Sequence, residues 1–228
     1  MDTYTRLRSL LTSAAAAQVR EWVHDYLVGV TSGQTDVTAV RHPLGFSCFP
    51  VWRHESFGIC LHVWTSDRPA PPTTSLVHAH SWNLISHILY GTVVNEIIEI
   101  TDDSGTGTHR VFEVRSDAEG DTVCATPYSV HFRSRSREGF RGGETYTLPH
   151  GIFHVTAVDG AAATIALGEH TPGALDLSLG EPATPDHRVE RTPYSSSQTR
   201  ELATAVLARL RTDCPPSNLE ERCDTASS

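Results

Sequence analysis

Between Tyr4 and about Val28 the apolar positions Leu7, Leu10, Leu11, Ala14, Ala15, Val19, Trp22, Val23, Tyr26 and Leu27 recur at i, i+3 and i+4, the rhythm of one buried helix face. The pattern predicts one or two helices packed on another element. After Gly33 the texture changes to short runs rich in Val, Ile, Thr, Phe and Tyr, separated by Gly, Pro and Asp-Gly punctuation. Strands are expected over roughly 57–64, 74–81, 84–100, 108–115, 122–134, 144–149, 153–159 and 162–169, with a loop from Asp102 to Gly107. Short strands in succession without intervening helices predict an all-β core, a jelly roll or β-barrel. A stretch rich in Pro, Thr and Ser runs from Gly180 to Ser197, and helical rhythm returns over Arg200–Arg211. The expected organisation is an N-terminal helical segment (1–32), a barrel (33–180) and a C-terminal linker, helix and flexible tail (181–228).

The 228 residues suit one domain with terminal extensions. Net charge is −9 and all 18 basic residues are arginine. An acidic chain of this kind is not expected to bind nucleic acid, and without lysine it has neither a Schiff base nor a phosphate-loop lysine. No apolar run approaches the roughly 18–20 residues of a membrane span, so no membrane partner is expected. The N-terminal leucines recur at helical spacing and do not form the apolar block of a signal peptide. The five cysteines, Cys48, Cys60, Cys124, Cys214 and Cys223, are odd in number and contain no C-x-x-C pair. That argues against a disulfide framework or a structural zinc module and fits a cytoplasmic protein.

Histidine is the outlier, with 13 residues, and it joins acid–base chemistry near neutrality to metal ligation. In Val77-His78-Ala79-His80-Ser81-Trp82 the two histidines stand at i and i+2. On a strand they share a face about 6.6–6.8 Å apart and can converge on one ion. A third candidate arrives in Leu148-Pro149-His150-Gly151-Ile152-Phe153-His154, where Pro149 and Gly151 form a turn feeding a new strand near His154.

H-x-H with a glycine eleven residues later (Gly91), followed by P-x-G-x-x-H, resembles the two motifs of the cupin superfamily over about residues 45–175. The resemblance implies a cupin-type jelly roll with metal on His78, His80 and His154. In cupins the first motif usually adds a glutamate, and Leu84 stands at that position. The remaining three-histidine pattern resembles the thiol dioxygenases, which implies Fe(II), with Zn, Ni or Mn as alternatives. By the same resemblance Arg53 falls near the arginine that in cysteine dioxygenases holds the substrate carboxylate. Leu84 also replaces the cysteine of the cysteine–tyrosine crosslink of the mammalian enzymes, and Glu169 or His170 stands near its tyrosine, so no crosslink forms here.

His87 has the opposite strand parity to His78 and His80 and is expected to face away from them. His150, in the turn beside the third histidine, is a candidate for supporting or proton-transfer work. Arg133, Arg135 and Arg137 put three positive charges on one strand face, usually a solvated arrangement, from which Arg133 is the candidate to reach a carboxylate. The expectation is therefore a non-haem iron oxygenase acting on a small anionic metabolite, with thiol dioxygenation as its candidate form, dioxygen as co-substrate and a homodimer as the candidate assembly. Its rivals are non-oxidative metal chemistry (isomerase, lyase or cyclase) and a metal- or ligand-binding module without turnover.

Overall fold

The structure is a computed structural model, and it describes residues 2–13, 15–65, 74–102, 106–117 and 120–212. Cys214, Cys223 and the expected tail over 213–228 lie outside the described residues. Two helices open the chain, α1 (Thr3–Thr12) and α2 (Ala16–Ser32), and α3 (Ser196–Thr212) closes the described part. The Asp2 carboxylate caps α1 by accepting from the Thr5 N–H (2.8 Å), and Gly33 ends α2 in the left-handed region at φ 78°. Ser195 and Gln198 form a reciprocal capping box at the start of α3.

Between the helices lie β1 (Val40–Arg41), β2 (Ser47–His54), β3 (Phe57–Trp64), β4 (His78–Ala79), β5 (Trp82–Tyr90), β6 (Thr92–Asp102) and β7 (His109–Ser116). They continue with β8 (Gly120–Arg141), β9 (Thr145–Leu148), β10 (His154–Val158), β11 (Ala162–His170), β12 (Asp176–Gly180), β13 (His187–Glu190) and β14 (Thr192–Pro193). One antiparallel sheet has the order β14-β1-β2-β3-β11-β5-β9 and the other β13-β8-β6-β10-β4-β12-β7. The all-β core with helices at both ends is the expected architecture.

Several elements differ from expectation, each for a local reason. The single strand expected over 84–100 is two, because Gly91 (φ 79°) turns the chain; a Cβ there would collide with Ala161 O and Ala162. The strand expected over 74–81 is reduced to His78–Ala79. β2 is not among the expected strands because Pro50 interrupts its apolar run, and the sheet accommodates it at a register shift between Pro50 and Trp52. β13 and β14, inside the segment expected to be a linker, pair with β8 and β1.

In the first sheet, period two separates two buried faces. Ile59, Leu61 and Val63 of β3 and Ala163, Ile165 and Leu167 of β11 pack with Leu7, Val19, Val23, Leu27, Val206 and Leu210 of the helices. The alternate residues Cys60, His62 and Trp64, with Ala166 and Gly168, line a cavity between the sheets. The second sheet has a smaller core of Ala79, Ile98, Val111, Val130, Phe153 and Leu179.

Candidate metal centre

The two histidine segments meet by direct strand pairing. His154 of β10 is the register partner of His78 of β4, and the Gly151 N–H donates to His80 O (2.8 Å). Gly151 takes φ 74°, so the turn between Pro149 and Phe153 uses a conformation that favours glycine. Three further bonds clamp the H-x-H segment: Leu179 N–H to Val77 O (3.0 Å), Thr171 N–H to Ser81 O (2.9 Å) and Ser81 N–H to the Asp176 carboxylate (2.6 Å).

Each of His78, His80 and His154 offers one ring nitrogen such that all three lie within 4.8 Å of one another. Ring centroids are 4.7 Å apart for His78–His80, 4.3 Å for His78–His154 and 5.1 Å for His80–His154. The Nδ1 of His78 lies 2.8 Å from Leu76 O and that of His154 lies 3.1 Å from Ile152 O. Both contacts fit an Nδ1–H donating to a backbone carbonyl, the tautomer that leaves the Nε2 lone pair for a ligand.

Burial lowers the protonation of all three rings. His154 is held down to about 3 by burial and then by His78 beside it. His80 is well below the usual imidazole range because of burial and then His78 and His154. His78 is lowered by burial against the opposing influence of its Leu76 hydrogen bond and of Asp176. Neutral, convergent imidazoles on a rigid strand pair are the donor set that a divalent first-row ion requires.

The cavity has a volume of about 410 Å³ and is lined by these histidines together with Arg53, Trp82, Leu84, Tyr146, Leu148 and His170. Leu84 gives this wall a hydrocarbon side chain. Arg53 leans over Trp82, its guanidinium carbon 5.8 Å from the ring centroid, and has no carboxylate partner among the described residues. The Nδ1 of His170 is buried without a hydrogen-bond partner.

Other candidates fall elsewhere. Arg133 is not among the cavity-lining residues; it pairs with Glu99 at 2.8 Å on an exposed stretch of β8. Arg135 and Arg137 are exposed as well, and the three do not share one face: the register shift at Ile97 and Ile98 breaks the alternation, so that Arg133, opposite Glu99, and Arg137, opposite Glu96, fall on opposite faces of the sheet. His150 is exposed, its N–H donating to Asn83 Oδ1 at 3.1 Å, and it too lies outside the cavity lining. His87 faces away from the other histidines, as its parity predicts, and meets Thr145 Oγ1 at 2.9 Å.

A second cluster was not anticipated. Cys48, Cys60 and His62 each offer one donor atom, again all within 4.8 Å of one another, and all three line the same cavity. A hydrogen bond from Cys48, together with His62, holds the Cys60 thiol well below its usual range, while that bond and burial raise Cys48. The available signal was the C-x-H spacing of Cys60 and His62, which places both on one face of a strand.

No family model and no curated protein matches the sequence. Among solved structures the chain is similar to a cupin-2 domain protein from Shewanella frigidimarina, at 10% identity and TM-score 0.30, over 54% of this chain and 79% of that one. It is similar to a hydroquinone 1,2-dioxygenase from a Sphingomonas species, at 14% identity and TM-score 0.31, over 53% of this chain and 64% of that one. A third is an L-ribose isomerase from Cellulomonas parahominis, at 13% identity and TM-score 0.30, over 64% and 61% of the two chains. At that depth they do not bear on activity; the class of molecule is defined by the two-sheet β core and the histidine cluster within it. Among the described residues no helix is long and apolar enough to cross a membrane.

Proposed function

We propose that the chain is a metal-dependent enzyme of cupin type that holds a divalent ion, ferrous iron first, on His78, His80 and His154 and oxidises a small anionic metabolite with dioxygen, thiol dioxygenation being its specific form. The observation that carries this reading is the presence, in one cavity, of three neutral convergent imidazoles and an arginine without a carboxylate partner. Three neutral donors leave the charge of the ion uncompensated, which favours an anionic ligand. Ferrous iron supplies dioxygen binding and activation. The protein supplies recognition and shelter. The Arg53 guanidinium, supported by Trp82, offers a bidentate contact to a carboxylate. Leu84, Leu148 and Tyr146 limit water around the bound molecule, and His170 Nδ1 is a hydrogen-bonding group for its polar end. Arg133 and His150 have no part in this reading.

The test is metal analysis of the protein as isolated, followed by oxygen uptake on a panel of thiol acids and non-thiol acids. Iron and oxygen uptake with a carboxylate substrate are expected. Arg53→Gln should raise KM by roughly tenfold or more with metal content unchanged, because the lost bidentate contact acts on the substrate. His78→Ala and His154→Ala should lose the ion held by the three histidines and stay folded, since the helix-backed core does not depend on the site. Turnover without oxygen uptake on zinc or manganese would replace this reading with a non-oxidative one. Unfolding at room temperature on metal removal would make the ion structural.

A further inference from the structure

The opposite wall of the cavity carries a donor set that the proposed reaction does not use. β2 and β3 pair antiparallel with Cys48 opposite His62, and Cys60 stands two residues before His62 on the same face. A two-residue turn at Glu55-Ser56 joins these strands, so the three donors are held by a local hairpin and do not depend on the histidine cluster. Phe46 lies 4.6 Å from the His62 ring and 5.0 Å from Trp64, ring centroid to ring centroid, an aromatic screen that fixes the imidazole and limits water around it. Cys48 is 7% exposed, and both thiols line the cavity.

We infer that Cys48, Cys60 and His62 form a second metal site, for a soft or borderline ion, Zn(II) or Cu(I), separate from the three-histidine cluster. Two sulfur donors and one imidazole match those ions and disfavour the hard cations that take oxygen ligands. The donor chemistry of the two sites differs: three neutral nitrogens on β4, its following residue and β10, against two ionisable sulfurs and one nitrogen on β2 and β3. Each thiol that ligates releases its proton to solvent, and the ion takes the place of those protons between the sulfurs. Three protein donors leave a tetrahedral ion one position for a ligand from the cavity, so a thiolate or another soft anion is the class of molecule that this wall would bind.

The experiment uses the full chain, stripped with chelator under reducing, oxygen-free conditions and titrated with Zn(II), with Cu(I), and with Co(II) as an optical probe. The wild type should take up a second equivalent of ion per chain and show a thiolate-to-cobalt charge-transfer band. Cys60→Ser and His62→Gln should lose one equivalent, with the band abolished in Cys60→Ser. His154→Ala should lose the other equivalent and keep the band, so failure here and failure of the oxygenase reading are distinguishable. A single equivalent in the wild type, lost with His154→Ala alone, overturns the inference, as does a band of undiminished strength in Cys60→Ser. Thiol labelling of the unsubstituted protein removes the dependence on a variant that fails to fold. Zn(II) should protect Cys48 and Cys60 from alkylation, and equal labelling with and without the ion, or recovery of the two joined as a disulfide under these conditions, counts against the site.

Discussion

The two sheets share a cavity and differ in what covers their other face. β11 of the first sheet is buried continuously from Ala162 to Gly168, because helices lie on one side and the cavity on the other. β8 of the second is exposed from Arg133 to Gly139, although it pairs there with β6, whose Ile98 belongs to the small core of that sheet. A strand with two covered faces can place cysteine and histidine on one of them without losing its apolar packing on the other. β3 does this with Ile59, Leu61 and Val63 against Cys60 and His62. The second sheet achieves the same separation only over its short elements, where Ala79 lies in the small core and its neighbours His78 and His80 line the cavity. Stability is therefore expected to be concentrated in the helix-backed sheet, and the histidine cluster to be carried by the less heavily packed one.

The sharpest test of that division is a core truncation. Ile165 is fully buried between β3, β5 and the helices, and Ile165→Ala should cost about 2–5 kcal/mol, through lost burial and the remaining cavity. Val155→Ala, at a half-buried position on β10 next to His154, should cost less than half as much. Denaturant midpoints of the two variants in metal-free protein decide the matter, and equal losses would dissolve the contrast between the sheets.

Legibility in the sequence follows the same division. The helical ends were readable because α1, α2 and α3 each keep one apolar stripe, and β3 and β11 because their runs are long and uninterrupted. The H-x-H segment and the turn before His154 were readable because each is local, and their meeting was an inference from motif order that the β4–β10 pairing accounts for. β12 and β13 were not legible, since a few residues among Pro, Gly and Thr form strands only through the partners that they find. The Cys48–Cys60–His62 cluster was hidden for a similar reason: its members are linked by cross-strand register, and cysteine spacing along the chain does not record register. Alternation along β8 predicts that three arginines share a face, but the register shift at Ile97 and Ile98 breaks that alternation, and residue spacing along one strand does not record such a shift.

A smaller effect is expected from His87, which lies on the helix side of the first sheet. Burial, with Arg20 nearby, holds its imidazole down to about 4. In the unfolded chain the same group takes its proton near 6.5. Between those values the unfolded state binds a proton that the folded state refuses, so the contribution to stability is complete above about 6.5 and is lost as pH falls toward about 4. That interval corresponds to at most about 3 kcal/mol. Urea midpoints at pH 7 and near pH 4.5 should fall less in His87→Gln than in the wild type, since glutamine can still meet Thr145 Oγ1 and does not titrate. An identical acid dependence in the two proteins would remove His87 from the account and leave the loss to the cavity histidines.

The smallest effect is expected where the second sheet faces water. Arg133 meets Glu99 through Nε at 2.9 Å and through the terminal nitrogen at 2.8 Å, but its side chain is 75% exposed. An ion pair so placed contributes between about 0 and 1 kcal/mol, because solvent screens the attraction and both side chains lose freedom in forming it. Arg133→Gln should therefore leave stability within about 0.5 kcal/mol of the wild type and leave KM unchanged for any carboxylate substrate. Arg53→Gln changes the same residue type at a position that lines the cavity, so the pair of variants separates the effect of location from that of charge. If Arg133→Gln raised KM as Arg53→Gln is expected to, substrate would have to bind on the exposed stretch of β8, outside the cavity, and Arg53 would lose its place in the reading.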